Sequence, residues 1–360
     1  MKIAIIGLAN SGKTTVFNAL TRGTAETTSY ASGQLEPNIA TVKVPDQRLT
    51  VLAQMFDPKK NTPADVQYVD VGGLSSGANQ SGGLPPALLN FIGGADALLH
   101  VARAFEDEGV AHPEGSVNLA RDIESVDLEL AFSDMAIIER RLAKLNAEIG
   151  KSATKDRELR TAERDLLALL LKELEDGKPI RDVALNDDQE RLLRGYQFLT
   201  AKPMLLVLNI SEAQLKNPPQ FAYAHQSSDV VALSGKVEAE LAQLDDEDAS
   251  AFMEDLGISA AARDRAISLS YELLGLISFL TAGPDEVRAW TINRNTPAVE
   301  AAGAIHSDIQ RGFIRAEIVA YDDLIKAGGM TEAKKLGTVR MEGKTYIVKD
   351  GDVCHFLFNV

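Results

Sequence analysis

Gly7-Leu8-Ala9-Asn10-Ser11-Gly12-Lys13-Thr14 decides how this chain is read. The stretch fits the pattern GxxxxGK[ST]. It follows the apolar run Ile3-Ala4-Ile5-Ile6 and opens onto Thr14-Thr15-Val16-Phe17-Asn18-Ala19-Leu20, which has helical character. Strand, glycine-bounded loop and helix in that order form the setting in which this pattern holds phosphate. Glycines let successive backbone N–H groups and the helix N-terminus face an anion, Lys13 reaches the β- and γ-phosphates, and the Thr14 hydroxyl is a ligand for Mg2+. Asn10, Ser11, Gly12, Lys13, Thr14 and Thr15 are thus the candidate nucleotide-phosphate residues, with Lys13 also counted as catalytic.

Further apolar runs at 66–71, 97–102, 204–208 and 230–233 are each placed like a buried parallel strand, so the first part of the chain reads as an α/β sheet. Two of these runs end in polar residues that suit a nucleotide site. Asp70-Val71-Gly72-Gly73 puts a carboxylate where it can hold the metal through water, and Gly73 can offer its N–H to a γ-phosphate. Asn209-Ile210-Ser211-Glu212 stands where GTPases carry NKxD, whose Asp accepts two hydrogen bonds from guanine. Here Glu212 occupies the Asp position and Ile210 replaces the Lys, which argues against ordinary guanine selection. Ser234-Gly235-Lys236 follows the next strand, as suits a loop closing over the base.

Between the runs at 97–102 and 204–208 lies a long stretch, about 121–200, without strand signal. Ile138, Leu142, Leu145 and Ile149 make one helical stripe, and Leu159, Leu166, Leu169, Leu170 and Leu174 make another. The polar stretch Gly150-Lys151-Ser152-Ala153-Thr154 separates them. An antiparallel helical hairpin that projects as an arm fits this pattern, and two ordinary surface helices are the alternative. Between residues 140 and 164 stand eight bases (Arg140, Arg141, Lys144, Lys151, Lys155, Arg157, Arg160, Arg164) and four acids (Glu148, Asp156, Glu158, Glu163). Beyond about residue 276, Glu317-Ile318-Val319-Ala320-Tyr321, Thr345-Tyr346-Ile347-Val348 and His355-Phe356-Leu357-Phe358 look like short strands of a small β-rich domain.

Composition narrows the classes. The 360 residues carry 52 Asp+Glu against 37 Lys+Arg, a net charge of −15, so wholesale coating of nucleic acid is disfavoured although a local basic face is compatible with it. A single cysteine, Cys354, leaves no intrachain disulfide, and five scattered histidines suggest no zinc cluster. Without a run long enough to span a membrane and without a signal-peptide core, the expectation is a cytoplasmic protein with no membrane partner, and a monomer by default.

Taken with the phosphate loop and the NxxE sequence, several longer strings resemble the YchF subfamily of Obg-like ATPases, P-loop proteins of the translation-factor class. They include Arg103-Ala104-Phe105-Glu106-Asp107, Thr281-Ala282-Gly283-Pro284-Asp285-Glu286-Val287-Arg288-Ala289-Trp290, Ala301-Ala302-Gly303-Ala304-Ile305-His306-Ser307-Asp308 and Glu342-Gly343-Lys344-Thr345-Tyr346-Ile347-Val348-Lys349-Asp350-Gly351-Asp352. The resemblance implies an α/β P-loop NTPase domain over 1–275, interrupted by a coiled-coil arm, and a β-grasp-like TGS domain over 276–360. It implies Mg2+ and ATP as ligands, slow hydrolysis, and association with the ribosome or its large subunit. It also suggests His112 as the residue that positions the attacking water, because Leu74 stands where many GTPases have Gln and cannot do so. This sequence departs from the family at Gln34, where a switch Thr is usual, and at Asp70-Val71-Gly72-Gly73 in place of D-I-A-G. Three readings stay open at this level: a slow ATPase switch, a nucleotide-gated ribosome- or RNA-binding module with negligible turnover, and a GTPase of ordinary specificity.

Overall fold

The computed structural model describes residues 1–23, 37–70, 86–150, 154–258 and 262–359. They form two compact units, Met1–Ala40 with Gln67–Ala266 and Thr41–Val66 with Ile267–Val360. Among the described residues no helix is long and apolar enough to cross a membrane.

The first sheet has the order β2 (Asn38–Lys43), β4 (Asp65–Asp70), β1 (Lys2–Ile6), β5 (Ala97–Arg103), β6 (Met204–Asn209) and β7 (Ser228–Leu233). The pairs β1–β4, β1–β5, β5–β6 and β6–β7 are parallel. All residues of β5 and β6 are buried, which explains their mainly apolar spelling, interrupted by His100, Arg103 and Asn209. Helix α1 (Lys13–Thr21) follows β1, and Ile5 lies beside Asp70 of β4 and Leu99 of β5. The loops after β1, β4 and β6 therefore leave from the same carboxyl edge of the sheet, where open parallel sheets hold their ligands.

The helical hairpin is present. Its helices are α4 (Leu119–Ile149, 31 residues, about 46 Å at 1.5 Å per residue) and α5 (Thr154–Glu175), preceded in the chain by α2 (Gln47–Phe56) and α3 (Pro86–Gly93). Ile138, Leu145, Leu166, Leu167, Leu170 and Leu174 form its seam together with Ile180, Leu193 and Phe198. Two residues of the expected stripes face solvent instead: Leu159 is 66% and Leu169 is 44% exposed. Leu167 takes the buried position, because the stripe drifts around an α-helix with each turn. Midway along α4, buried Asp134 accepts from the Leu199 N–H at 2.9 Å, the Thr200 N–H at 2.8 Å and the Thr200 hydroxyl at 2.7 Å, which fixes the helix to the segment entering β6.

The second unit holds a mixed sheet of order β11 (Arg340–Glu342), β10 (Phe313–Ala320), β12 (Asp352–Phe358), β8 (Leu276–Ala282), β9 (Glu286–Asn293) and β3 (Lys60–Thr62). Its central β12–β8 pair is parallel and is flanked by antiparallel neighbours, with Ala298, Ala301 and Ala302 of the helix Ala298–Ile305 packed on one face, a β-grasp arrangement. Of the expected strands, Thr345-Tyr346-Ile347-Val348 makes only an isolated bridge between Ile347 and Pro297, and Tyr321 begins a helix. Segment 41–66, which the sequence groups with the phosphate loop, belongs here. β3 pairs in parallel with β9, Arg48 pairs with Asp350 at 2.7 Å, and the Thr62 hydroxyl donates to Glu286 at 2.6 Å.

Candidate functional site

The phosphate loop leaves β1 and turns into α1 through Gly12, which sits in the left-handed region at φ 90°; a Cβ there would overlap the Asn209 side-chain amide. Gly7, at φ 143°, would likewise overlap the Val101 carbonyl. Both positions thus require glycine for a geometric reason. The Lys13 ammonium is buried and donates to the carbonyls of Gly7 at 3.1 Å and Leu8 at 2.6 Å, bonds that an entering phosphate oxygen can replace. Burial brings its pKa down to about 8, against the pull of the Asp70 carboxylate.

The Thr14 hydroxyl donates to Asp70 Oδ2 at 2.8 Å, so the two residues expected on the metal side meet at the carboxyl ends of β1 and β4. A hydroxyl and a carboxylate are hard oxygen donors that suit Mg2+, which takes its remaining ligands from phosphate and water. Among the described residues there is no cluster of three His, Cys, Asp or Glu placed for a metal. Two buried hydroxyls at the loop and after β7, Ser11 Oγ and Ser234 Oγ, have no hydrogen-bond partner among the described residues, which leaves polar capacity for a ligand.

Asn209 ties the loop to the base side of the site. Its Nδ2 donates to the Ser11 carbonyl at 2.9 Å, and its Oδ1 accepts the Gly235 N–H at 3.0 Å. Gly235 is itself confined, since a Cβ would stand 3.2 Å from Asn209 Oδ1 and 3.4 Å from Thr15 Cγ2. Ile210 is buried among Ala102, Ile123, Leu206 and Leu208, whereas Glu212 is exposed at the start of a short turn, Glu212–Gln214. The structure therefore gathers Asn10, Ser11, Gly12, Lys13, Thr14, Thr15, Asp70, Asn209, Ser234 and Gly235 around one edge, while Ile210 serves the core. Gly73, Gln34 and Leu74 lie outside the described residues.

The side chain of His112 is buried beside the loop. Its Nδ1 accepts the Glu114 N–H at 3.1 Å and its Nε2 stands 3.0 Å from Asp122 Oδ2. Two organising residues escape a sequence reading. Arg103, at the end of β5, donates to the carbonyls of Phe105, Asp107 and Val110 and lies over the Phe105 ring, so a single side chain shapes the loop leading to His112. Asp122, in the first turn of α4, receives His112, Arg121 and the Asn118 N–H. A cavity of about 330 Å³ opens elsewhere, at the root of the arm between Ile123, Asp127, Arg181 and Tyr223.

Comparison with known proteins agrees with this fold. A family model described as a 50S ribosome-binding GTPase matches residues 2–130, and the YchF-GTPase_C model, described as a protein of unknown function, matches residues 276–359. A Bacillus subtilis relative named ribosome-binding ATPase YchF is 42% identical, with 99% of this chain and 98% of the relative covered. The Caenorhabditis elegans Obg-like ATPase 1 is 36% identical over 100% of this chain and 92% of its own. The solved structure of the Schizosaccharomyces pombe YchF GTPase superposes with a TM-score of 0.84 at 29% identity, covering 99% of this chain and 97% of the other. On identity sustained along nearly its whole length, the chain belongs to the YchF family.

Proposed function

We propose that this protein is an Mg2+-dependent, ATP-binding and slowly hydrolysing P-loop switch protein that associates with the ribosome. One observation carries the nucleotide half of that reading: Lys13, Thr14 and Asp70 converge at the carboxyl edge of the sheet, with the Thr14–Asp70 hydrogen bond at 2.8 Å marking the metal side. Lys13 and the N–H groups of Asn10 to Thr15 take the phosphates, Gly73 answers the γ-phosphate, and Asn209, the Ile210 backbone, Glu212, Ser234 and Gly235 border the base. His112 positions the attacking water. The ribosome half rests on the relatives named ribosome-binding ATPase. ATP is preferred to GTP because no NKxD carboxylate is present and Ile210 is committed to the core.

In this reading the nucleotide domain spans 1–275 apart from segment 41–66, with the arm inserted, a TGS domain spans 276–360 and is joined by that segment, and the arm tip meets ribosomal RNA. Among the described residues Arg140 and Arg157 are exposed bases suited to phosphate contact, and Lys144, also exposed, stands 4.0 Å from Glu148. Arg141 is paired to Glu163 at 2.7 Å, Arg160 to Glu148 at 3.1 Å and Arg164 to Asp165 at 2.6 Å. The test is steady-state phosphate release by the full chain with Mg2+ and either ATP or GTP, with Lys13→Ala as the blank. Turnover of ATP above the blank and above GTP supports the reading, and equal use of the two, or preference for GTP, overturns the base assignment.

A further inference from the structure

Two features of His112 do not fit a group already in place to orient water. Its side chain is 5% exposed, and both nitrogens are engaged: Nδ1 accepts the Glu114 N–H at 3.1 Å, so the proton resides on Nε2, which meets Asp122 Oδ2 at 3.0 Å. The bond from Nε2–H to a buried carboxylate is charge-assisted and is the stronger of the two. Nothing is left on the ring to meet a water. The ring nevertheless lines one small void with Leu8, Ala9 and Ser11 of the phosphate loop, so it is stored directly behind the loop that would hold the γ-phosphate.

We propose that Asp122 is a positioning residue that latches His112 in this resting place, and that release of His112 from Asp122 supplies the water-orienting group. The proposal rests on the reading of His112 given above. Two structural elements hold the latch. Asn10 of the phosphate loop donates its Nδ2–H to the Ala111 carbonyl at 2.9 Å, so whatever reorients Asn10 pulls on the residue next to His112. Asp122 belongs to the first turn of α4, where it also accepts the Asn118 N–H at 3.2 Å and pairs with Arg121 at 2.7 Å, so whatever shifts the start of the arm moves the other half. A nucleotide in the loop and a partner on the arm thereby bias the same two-state element. The resting state holds turnover down by the fraction of molecules in which the ring is unlatched.

The experiment uses the full chain and three variants. Asp122→Asn keeps the shape and one acceptor oxygen but removes the charge that strengthens the Nε2–H bond. The latch predicts that kcat for ATP rises about three- to tenfold with KM little changed. The double variant Asp122→Asn/His112→Ala falls back to the level of His112→Ala, which shows that the gain acts through the imidazole. A kcat in Asp122→Asn equal to or below wild type overturns the latch and assigns Asp122 the opposite role, that of orienting a working His112. Loss of turnover in His112→Ala without a rise in Asp122→Asn defeats the latch alone. Unchanged turnover in His112→Ala defeats the water-positioning reading as well. ¹⁵N NMR of the wild-type imidazoles covers the case in which Asp122→Asn folds poorly. The latch predicts a His112 Nε2–H protected from solvent exchange without nucleotide and unprotected with Mg2+ and a non-hydrolysable ATP analogue; protection that is unchanged by the analogue contradicts it.

Discussion

Ile210 shows how one side chain can change an experiment. Restoring the guanine-binding spelling NKxD would require Ile210→Lys together with Glu212→Asp, yet Ile210 is packed against Ile123, Leu206 and Leu208. A lysine there has to bury its ammonium or pull the strand end apart, so Ile210→Lys is expected to lower stability by on the order of 3 kcal/mol in urea denaturation. A loss below about 1 kcal/mol would mean the side chain finds a way to water. The base preference is better examined with Glu212→Asp alone, which lies at an exposed position. Competition between labelled nucleotides is expected to move at least about tenfold toward GTP, one charged hydrogen bond's worth, and an unmoved ratio would place selectivity in the backbone from Asn209 to Ser211. The phosphate-loop residues are legible in sequence because their roles follow from local backbone shape. Asn209 as a clamp between Ser11 and Gly235 and Asp122 as the partner of His112 are not, since the partners come from other elements, and Arg103 as the organiser of its loop is not, since its bonds to nearby carbonyls depend on the fold of an irregular loop.

At the scale of elements, the arm depends on one buried acid. Asp134 accepts three hydrogen bonds from Leu199 and Thr200, but burial still outweighs them and pushes its pKa up to about 6. The folded chain therefore binds this proton more tightly than the unfolded chain, and between about pH 4 and pH 6 the group makes stability fall as pH rises, by on the order of 3 kcal/mol, with no further change above. The measurable form is the stability difference between wild type and Asp134→Asn across that range. It is expected to decline with pH, and a rise would mean that the three donors hold the carboxylate ionised. The hairpin itself is legible because apolar steps of three and four survive any tertiary context, although Leu159 and Leu169 fall outside the seam and Leu167 within it. Strands β8 and β9 and the short β3 are harder to read. β3 has three residues and is held by its pairing with β9 rather than by its own composition.

For the whole molecule, a net charge of −15 makes any anionic partner a local affair. The structure narrows the arm's usable charges, because Arg141 and Arg160 hold the two helices together through Glu163 and Glu148, and Arg141 also meets the Tyr196 hydroxyl. Reversing these would test the hairpin and not the partner. Arg140→Glu with Arg157→Glu is expected to weaken co-sedimentation with ribosomes and to flatten its salt dependence by a little under one unit of slope per phosphate contact removed, with ATP affinity unchanged. An unaltered slope would move the contact to the C-terminal unit. The claim that joins both halves of the account is that nucleotide state sets ribosome affinity. Its most direct test is the dissociation constant of the full chain for ribosomes with Mg2+ and a non-hydrolysable ATP analogue, compared with ADP. The account predicts different constants for the two nucleotides and a single constant for Lys13→Ala; equal constants in the wild-type protein would contradict it.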